Sequence, residues 1–299
     1  MQRIRNWQLL TVCVLVWGTT WYAITFQLGD TAPEFGVAMR FGLAGAAVLA
    51  MCMMRGLPLR FDARAHGLLA LQGAFLYGVS YVCLYHAEEH LVSGLVAVGY
   101  SASPLVSGLG ARLLFGTRLR PHFVSGALLG LIGVALIFWP EFGHAARRSG
   151  TALGVLFTLA SVLLSSIGSL TASRNNANGL PFWPALGFGM LYGALVAAAL
   201  GLAQGHVIAL PAVWSWWLAL LYLSLAGSVL TFACFLALQQ RIGPGPAGSI
   251  GVMTPLLALL VSMVFESFRP DALTFAGAAL AVAGNALVLG PPRSAPSSA

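Results

Sequence analysis

His86-Ala87-Glu88-Glu89-His90 has the residue types and spacing of a zinc-peptidase helix, His-x-x-Glu-His, in which two imidazoles hold a metal and a carboxylate works on a water. That chemistry also needs further acidic ligands downstream and a cavity that both rings reach. Here no acidic residue follows until Glu141, and the stretch straddles the end of an apolar run. The chain has no glycine-rich phosphate loop, nucleophile elbow or dinucleotide fingerprint. Its residues point to binding rather than catalysis, with no metal site and no cofactor expected.

Groups suited to contact are more frequent. Tyr77, Tyr81 and Tyr85 recur every fourth residue with Ser80 beside them, a stripe that can stack a ligand or hold a cation over its rings, or can serve as packing with Tyr85 in an interfacial belt. Trp17, Thr20, Trp21 and Ile24 share one helical face, Ser161, Ser165 and Ser169 another, and Ser228 with Thr231 adds hydroxyls; such stripes also join helices to one another. Arg40 is the one charge well inside an apolar run. It is expected to snorkel or to bind helix-end carbonyls near the outer surface, contact with a substrate carboxylate being the other reading. All eight carboxylates map to loops or to the ends of apolar runs, so no deep proton or sodium relay is visible.

The most informative spacing is Tyr100-Ser101-Ala102-Ser103-Pro104 and its echo Gly251-Val252-Met253-Thr254-Pro255. Each puts a hydroxyl and then a proline inside a long apolar segment, where the proline frees the carbonyl four residues earlier, at Tyr100 and at Gly251. Two such interruptions at matching places in two halves suggest a central binding site in a transporter.

The elements that must position these groups are membrane helices. Of 299 residues 59% are hydrophobic and 8% charged, with a mean hydropathy of +0.86, too little polar surface for a soluble protein. Ten spans are predicted, near 9–28, 35–54, 67–86, 92–115, 122–140, 151–171, 182–203, 213–236, 244–265 and 271–290. The first is read as a retained helix rather than a cleaved leader. The net charge of +7 comes from 15 arginines scattered in loops, which argues against a nucleic-acid partner. Threaded from an inside N-terminus, ten of these arginines fall on the cytoplasmic side and three, Arg147, Arg148 and Arg269, on the other, so both termini are expected in the cytoplasm of a bacterial inner-membrane protein. The four cysteines sit singly in apolar runs and imply no redox role.

The halves resemble each other. Ser103-Pro104, Arg120-Pro121 and the glycines Gly126, Gly130 and Gly133 are matched by Thr254-Pro255, Arg269-Pro270, Gly277 and Gly284. Five spans per copy is an odd number, so the copies must run in opposite senses. The expected plan is an all-α integral membrane fold of ten transmembrane helices, two inverted five-helix repeats (9–140 and 151–290) around a central cavity. A short N-terminal segment, 1–8, and a disordered cytoplasmic tail, 291–299, flank them.

Taken with Trp17-Gly18-Thr19-Thr20, Pro33, Arg40-Phe41, Ser93-Gly94 to Pro104, Gly248 to Pro255 and Glu266, this pattern resembles the drug/metabolite transporter superfamily, specifically its ten-helix EamA-type exporters. The resemblance implies a bacterial inner-membrane exporter of neutral and aromatic amino acids and related metabolites, with helices one to four and six to nine around the cavity. On that reading Trp17, Thr20, Tyr77, Ser80, Tyr81, Tyr100, Ser103, Gly251 and Thr254 bind substrate, and Pro104 and Pro255 interrupt their helices. The partners are amino acids and lipid, and the chain is a monomer or weak homo-oligomer. The alternatives are export of drugs or quaternary ammonium compounds on the same scaffold, or a membrane zinc enzyme.

Overall fold

The structure is a computed structural model that describes residues 4–29, 31–116, 121–145, 150–243, 247 and 250–289. The expected tail, Asp30, Gly248 and the topology arginines Arg3, Arg118, Arg120, Arg147, Arg148 and Arg293 lie outside the described residues.

Among the described residues ten helices account for the fold: α1 (Asn6–Thr25), α2 (Pro33–Met54), α3 (Ala63–Glu88), α4 (Ser93–Gly99 continuing through Ser103–Phe115), α5 (Pro121–Ala145), α6 (Thr151–Ala177), α7 (Phe182–Ala203), α8 (Trp214–Ile242), α9 (Ile250–Phe265) and α10 (Ala272–Leu289). Seven are long and apolar enough to cross a membrane whole; the other three carry shorter apolar stretches, His122–Ile137, Met253–Phe265 and Ala272–Gly284. Helix is what lipid demands, because each backbone polar group must be satisfied within its own segment. Gly29, Gly56, Gly116, Gly179, Gly205 and Gly243 lie in or just after the ends of α1, α2, α4, α6, α7 and α8 with φ between 63° and 92°, a turn that a side chain would resist. Asp62 and Asp271 instead start α3 and α10, accepting hydrogen bonds from Ala65 N and Thr274 N, each at 2.8 Å.

The polarity of α6 is inside out. Leu153, Leu156, Leu163 and Ile167 are exposed toward the surroundings, while Ser161, Ser166 and Ser169 are buried. A helix facing lipid on one side and protein on the other needs this arrangement, with hydroxyls where they find partners.

The helices pair as α2 with α7, α5 with α10 and α4 with α9, while the α3–α6 contact has its counterpart in α8–α1. This set maps onto itself when each of the first five helices is exchanged with the one five places later. The exchange extends to atoms. Ser161 Oγ of α6 donates to Ser80 O of α3 at 2.7 Å, and Cys13 Sγ of α1 donates to Thr231 O of α8 at 3.6 Å. A π-helical turn at Ala74–Gly78 in α3 is likewise repeated at Leu225–Leu230, the same distance into α8. α5 and α10 lie close because their contact is glycine: a Cβ at Gly133 would fall 2.5 Å from Gly277 O, and one at Gly284 would fall 2.4 Å from Gly126 O.

Candidate functional site

Between the two sets of five helices lies a cavity bounded by α1, α2, α3, α4, α6, α8 and α9. Its apolar wall consists of Trp17, Trp21, Tyr81, Tyr100, Phe232 and Phe235 with Ile24, Leu76, Leu84 and Ile250. Its polar wall is Thr20, Ser103, Ser107, Ser165, Ser166, Ser169 and Thr254, with Arg40 as the charged group. An apolar chamber with a few convergent polar groups is the usual form of a small-molecule site.

Both prolines face protein, not lipid, for Pro104 and Pro255 are buried. Their helices respond differently. In α4 a 3₁₀ turn, Tyr100–Ala102, precedes Ser103-Pro104, whereas α9 runs without a break through Pro255. The backbone of α4 thus tightens for one turn before its proline, while α9 keeps its helical course through Pro255. The freed Tyr100 carbonyl is not available to a ligand as expected. Ser103 Oγ donates to it at 2.5 Å, and Gly251 closes over it, so that a Cβ there would sit 2.8 Å from the oxygen. Thr254 Oγ1 similarly donates to Ile250 O at 2.6 Å. The hydroxyl oxygens of Ser103 and Thr254 keep acceptor capacity.

The matched π-turns set the aromatic wall. Such turns widen the hydrogen-bond ladder and rotate the helix beyond them. After them come Tyr81 in α3 and Phe232 in α8, which flank Phe41 at ring-centroid distances of 4.7 and 6.3 Å. The turn in α8 also frees Gly227 O, which accepts Trp17 Nε1 at 3.0 Å and Thr231 Oγ1 at 2.6 Å. Of the sequence-predicted set, Trp17, Thr20, Tyr81, Tyr100, Ser103, Gly251 and Thr254 line the cavity. Tyr77 and Ser80 do not: both are 0% exposed, Tyr77 packed edge-on to Phe232 and Ser80 donating to Leu76 O at 3.1 Å. The tyrosine stripe is divided by its surroundings. Tyr85 donates to Gln27 Oε1 at 2.8 Å in the interior rather than standing in an interfacial belt.

Arg40 overturns its expected place. It does not snorkel: it is 1% exposed, its Nε donates to Ser228 Oγ at 3.0 Å, and its guanidinium carbon lies 4.8 Å from the Tyr81 ring centroid. Nη1 is buried and has no hydrogen-bond partner among the described residues, as is true of Nε1 of Trp21, which packs on Tyr100 at 5.1 Å. Sequence spacing showed the serine stripe of α6 and the charge in α2. It gave no sign that the two halves bring them to one chamber.

A sequence profile of the EamA-like transporter family matches the chain twice, over residues 7–139 and 152–290. The chain belongs to that family. Among curated relatives, the aromatic amino acid exporter YddG of Ancylobacter novellus is 29% identical over 282 residues, covering 92% of this chain and 93% of the relative. The uncharacterized inner membrane transporter YedA of Escherichia coli strain K12 is 28% identical over 259 residues, covering 83% of this chain and 78% of the relative. A solved crystal structure superposes with a TM-score of 0.68 at 24% identity over 95% of this chain and 96% of the other, a likeness of fold.

In this EamA-like transporter, clusters of polar side chains lie toward both ends of the helices that line the chamber. At one end, Glu34 is fully buried and its carboxylate faces His86 Nε2 at 2.8 Å, His206 Nδ1 at 3.2 Å and Gln204 Nε2 at 3.2 Å. His86 Nδ1 faces Glu89 at 2.7 Å, so both nitrogens of the ring are occupied by carboxylates. His90 is exposed, its ring beside Gly150 rather than with the His86 cluster. Among the described residues no group of three His, Cys, Asp or Glu side chains is placed to hold a metal. Nearby, Glu266 accepts from Ser93 N at 3.3 Å, Ser93 Oγ at 2.5 Å and Ser262 Oγ, tying α4 to α9. These carboxylates are at helix ends as expected, but Glu34 and Glu88 are buried rather than solvated. At the opposite end a second pocket is lined by Gln72, Asn176, Gln239 and Gln240. Asn175 Nδ2 donates there to Gln72 Oε1 at 2.9 Å.

Proposed function

We propose that the chain exports small amino acids, neutral and aromatic, across a bacterial inner membrane by alternating access, the central cavity being exposed to each side in turn. The observation that carries this reading is the cavity itself. It lies where the two sets of five helices meet, with an aromatic wall for a side chain and a hydroxyl wall for the polar head. The similarity to an aromatic amino acid exporter over nearly the whole chain supports it. On this reading the repeats are inverted, as an odd helix count requires, both termini are cytoplasmic, and rocking of one set against the other moves the seal from the acidic end to the amide end.

Export of quaternary ammonium compounds is disfavoured by one feature: among the described residues no carboxylate lines the cavity, and the charge that does is Arg40. The test is counterflow in proteoliposomes loaded with unlabelled phenylalanine or leucine. Uptake of the labelled amino acid above protein-free vesicles is expected, with no inhibition by a lipophilic cation. No counterflow for any of the twenty amino acids would end the proposal.

A further inference from the structure

Resting on the transport reading of this cavity, we propose that Arg40 makes it a carboxylate site. Its occupants are small organic acids with an aromatic or apolar body, carried whether or not they bear an amino group.

The guanidinium is held from several sides. Ser228 Oγ accepts from Nε and in turn donates to Leu223 O at 2.9 Å, which fixes the plane of the fork. Tyr81 and Phe41 lie 4.8 and 5.2 Å from the guanidinium carbon. Gly227 leaves room for the remaining arm: a Cβ there would fall 3.4 Å from Nη2 and 2.7 Å from Thr20 Cγ2. The arm bearing Nη1 is therefore positioned and buried, and Nη1 itself has no hydrogen-bond partner among the described residues, the Tyr85 hydroxyl near the guanidinium being engaged with Gln27. A buried charged donor left this way carries an uncompensated desolvation cost, relieved when a ligand or water brings the acceptor. The planar fork matches a carboxylate or a phosphate, and the mostly apolar lining of the chamber favours the singly charged carboxylate with its apolar body.

The ammonium group of an amino acid finds no equivalent partner. Glu34, Glu88 and Glu266 all sit at the acidic end and none lines the cavity, although the field of Glu88 reaches Arg40. An amine in the chamber meets neutral hydroxyls and one fixed charge of its own sign. Removing it from a substrate deletes no ion pair, whereas removing the carboxylate deletes the principal one. The amino group is tolerated, not recognised.

Three ligands with one phenyl body test this on the full chain in detergent and in vesicles: phenylalanine, 3-phenylpropanoate, which lacks the amine, and 2-phenylethylamine, which lacks the carboxylate. The expected result is that phenylpropanoate raises the unfolding temperature and competes with labelled phenylalanine within about threefold of phenylalanine itself, while the amine is weaker by roughly tenfold or more. Arg40→Gln is expected to abolish the difference between acid and amine, and Arg40→Lys to keep part of it. The assignment is overturned if the amine competes in the wild type as well as the acid does. It is overturned equally if Arg40→Gln, folded with an unchanged ligand-free melting temperature, still binds phenylpropanoate as the wild type does. Neither result touches the transport reading. The separate outcome, that no ligand binds and no amino acid shows counterflow, sinks the transport reading and this assignment with it.

Discussion

Gln239 Nε2 donates to Ser169 Oγ at 2.7 Å, and the two side chains belong to different chambers. Ser169 lines the central cavity and Gln239 lines the pocket at the amide end. One hydrogen bond between α8 and α6 therefore stands in the partition between the two spaces. In a variant whose four native cysteines are replaced, Ser169→Cys with Gln239→Cys joined by a short thiol cross-linker is expected to lower counterflow by about tenfold, reversibly on reduction, because the partition can no longer open. Unchanged transport after verified cross-linking would show that substrate takes another route.

Gly251 lies against the Tyr100 carbonyl with no room for a methyl group, its Cβ position being 2.8 Å from that oxygen. Gly251→Ala is expected to push α4 from α9 and cost roughly 1–3 kcal/mol. Gly130→Ala, where a Cβ meets nothing within 4 Å, is the control and should leave the melting temperature close to that of the wild type.

Tyr81 and Tyr77 stand one helical turn apart on α3 with opposite expectations. Tyr81 faces the cavity and covers Arg40, so Tyr81→Ala should weaken phenylalanine binding by about tenfold through lost stacking and a less confined guanidinium. Tyr77 is sealed behind the wall, and Tyr77→Phe should leave affinity within about twofold of wild type, since its hydroxyl makes no contact inside the chamber. Isothermal titration of both variants checks the pair.

Asp271 precedes α10, where hydrogen bonds from the Thr274 backbone and side chain hold its carboxyl below the usual aspartate range. Its stabilising contribution is thus present above the unfolded value of 3.8 and lost as pH falls through the lower folded value. Asp271→Ala should cost about 1 kcal/mol at neutral pH, read as a lowered melting temperature, and the gap from wild type should narrow as the medium is acidified. A gap that widens in acid would contradict the capping role.

The helices could be read from the chain because lipid removes nearly every alternative for an apolar backbone. The site was legible only as far as local spacing carries. Helical periodicity puts Trp17 and Thr20 on one face and Tyr81 on another, and both faces line the cavity; Ser103 lines it beside the proline that the sequence marks as a ladder breaker. Tyr77 escaped because the π-turn before Val79 shifts which face of α3 meets the chamber. Arg40 escaped because a lone arginine in an apolar run looks the same whether it reaches for a headgroup or turns inward onto Ser228. The partner that decides between those is 188 positions away in the chain.

The two joints that exchange partners between the halves are not equally strong. Ser161 fastens α6 to α3 with a hydroxyl, whereas Cys13 fastens α1 to α8 with a thiol, a weaker donor at longer range. The thiol does not hold α1 to α8 alone, since the Trp17 indole donates to Gly227 O beside it, so each half meets its neighbour through its own chemistry and no single substitution undoes both seams alike.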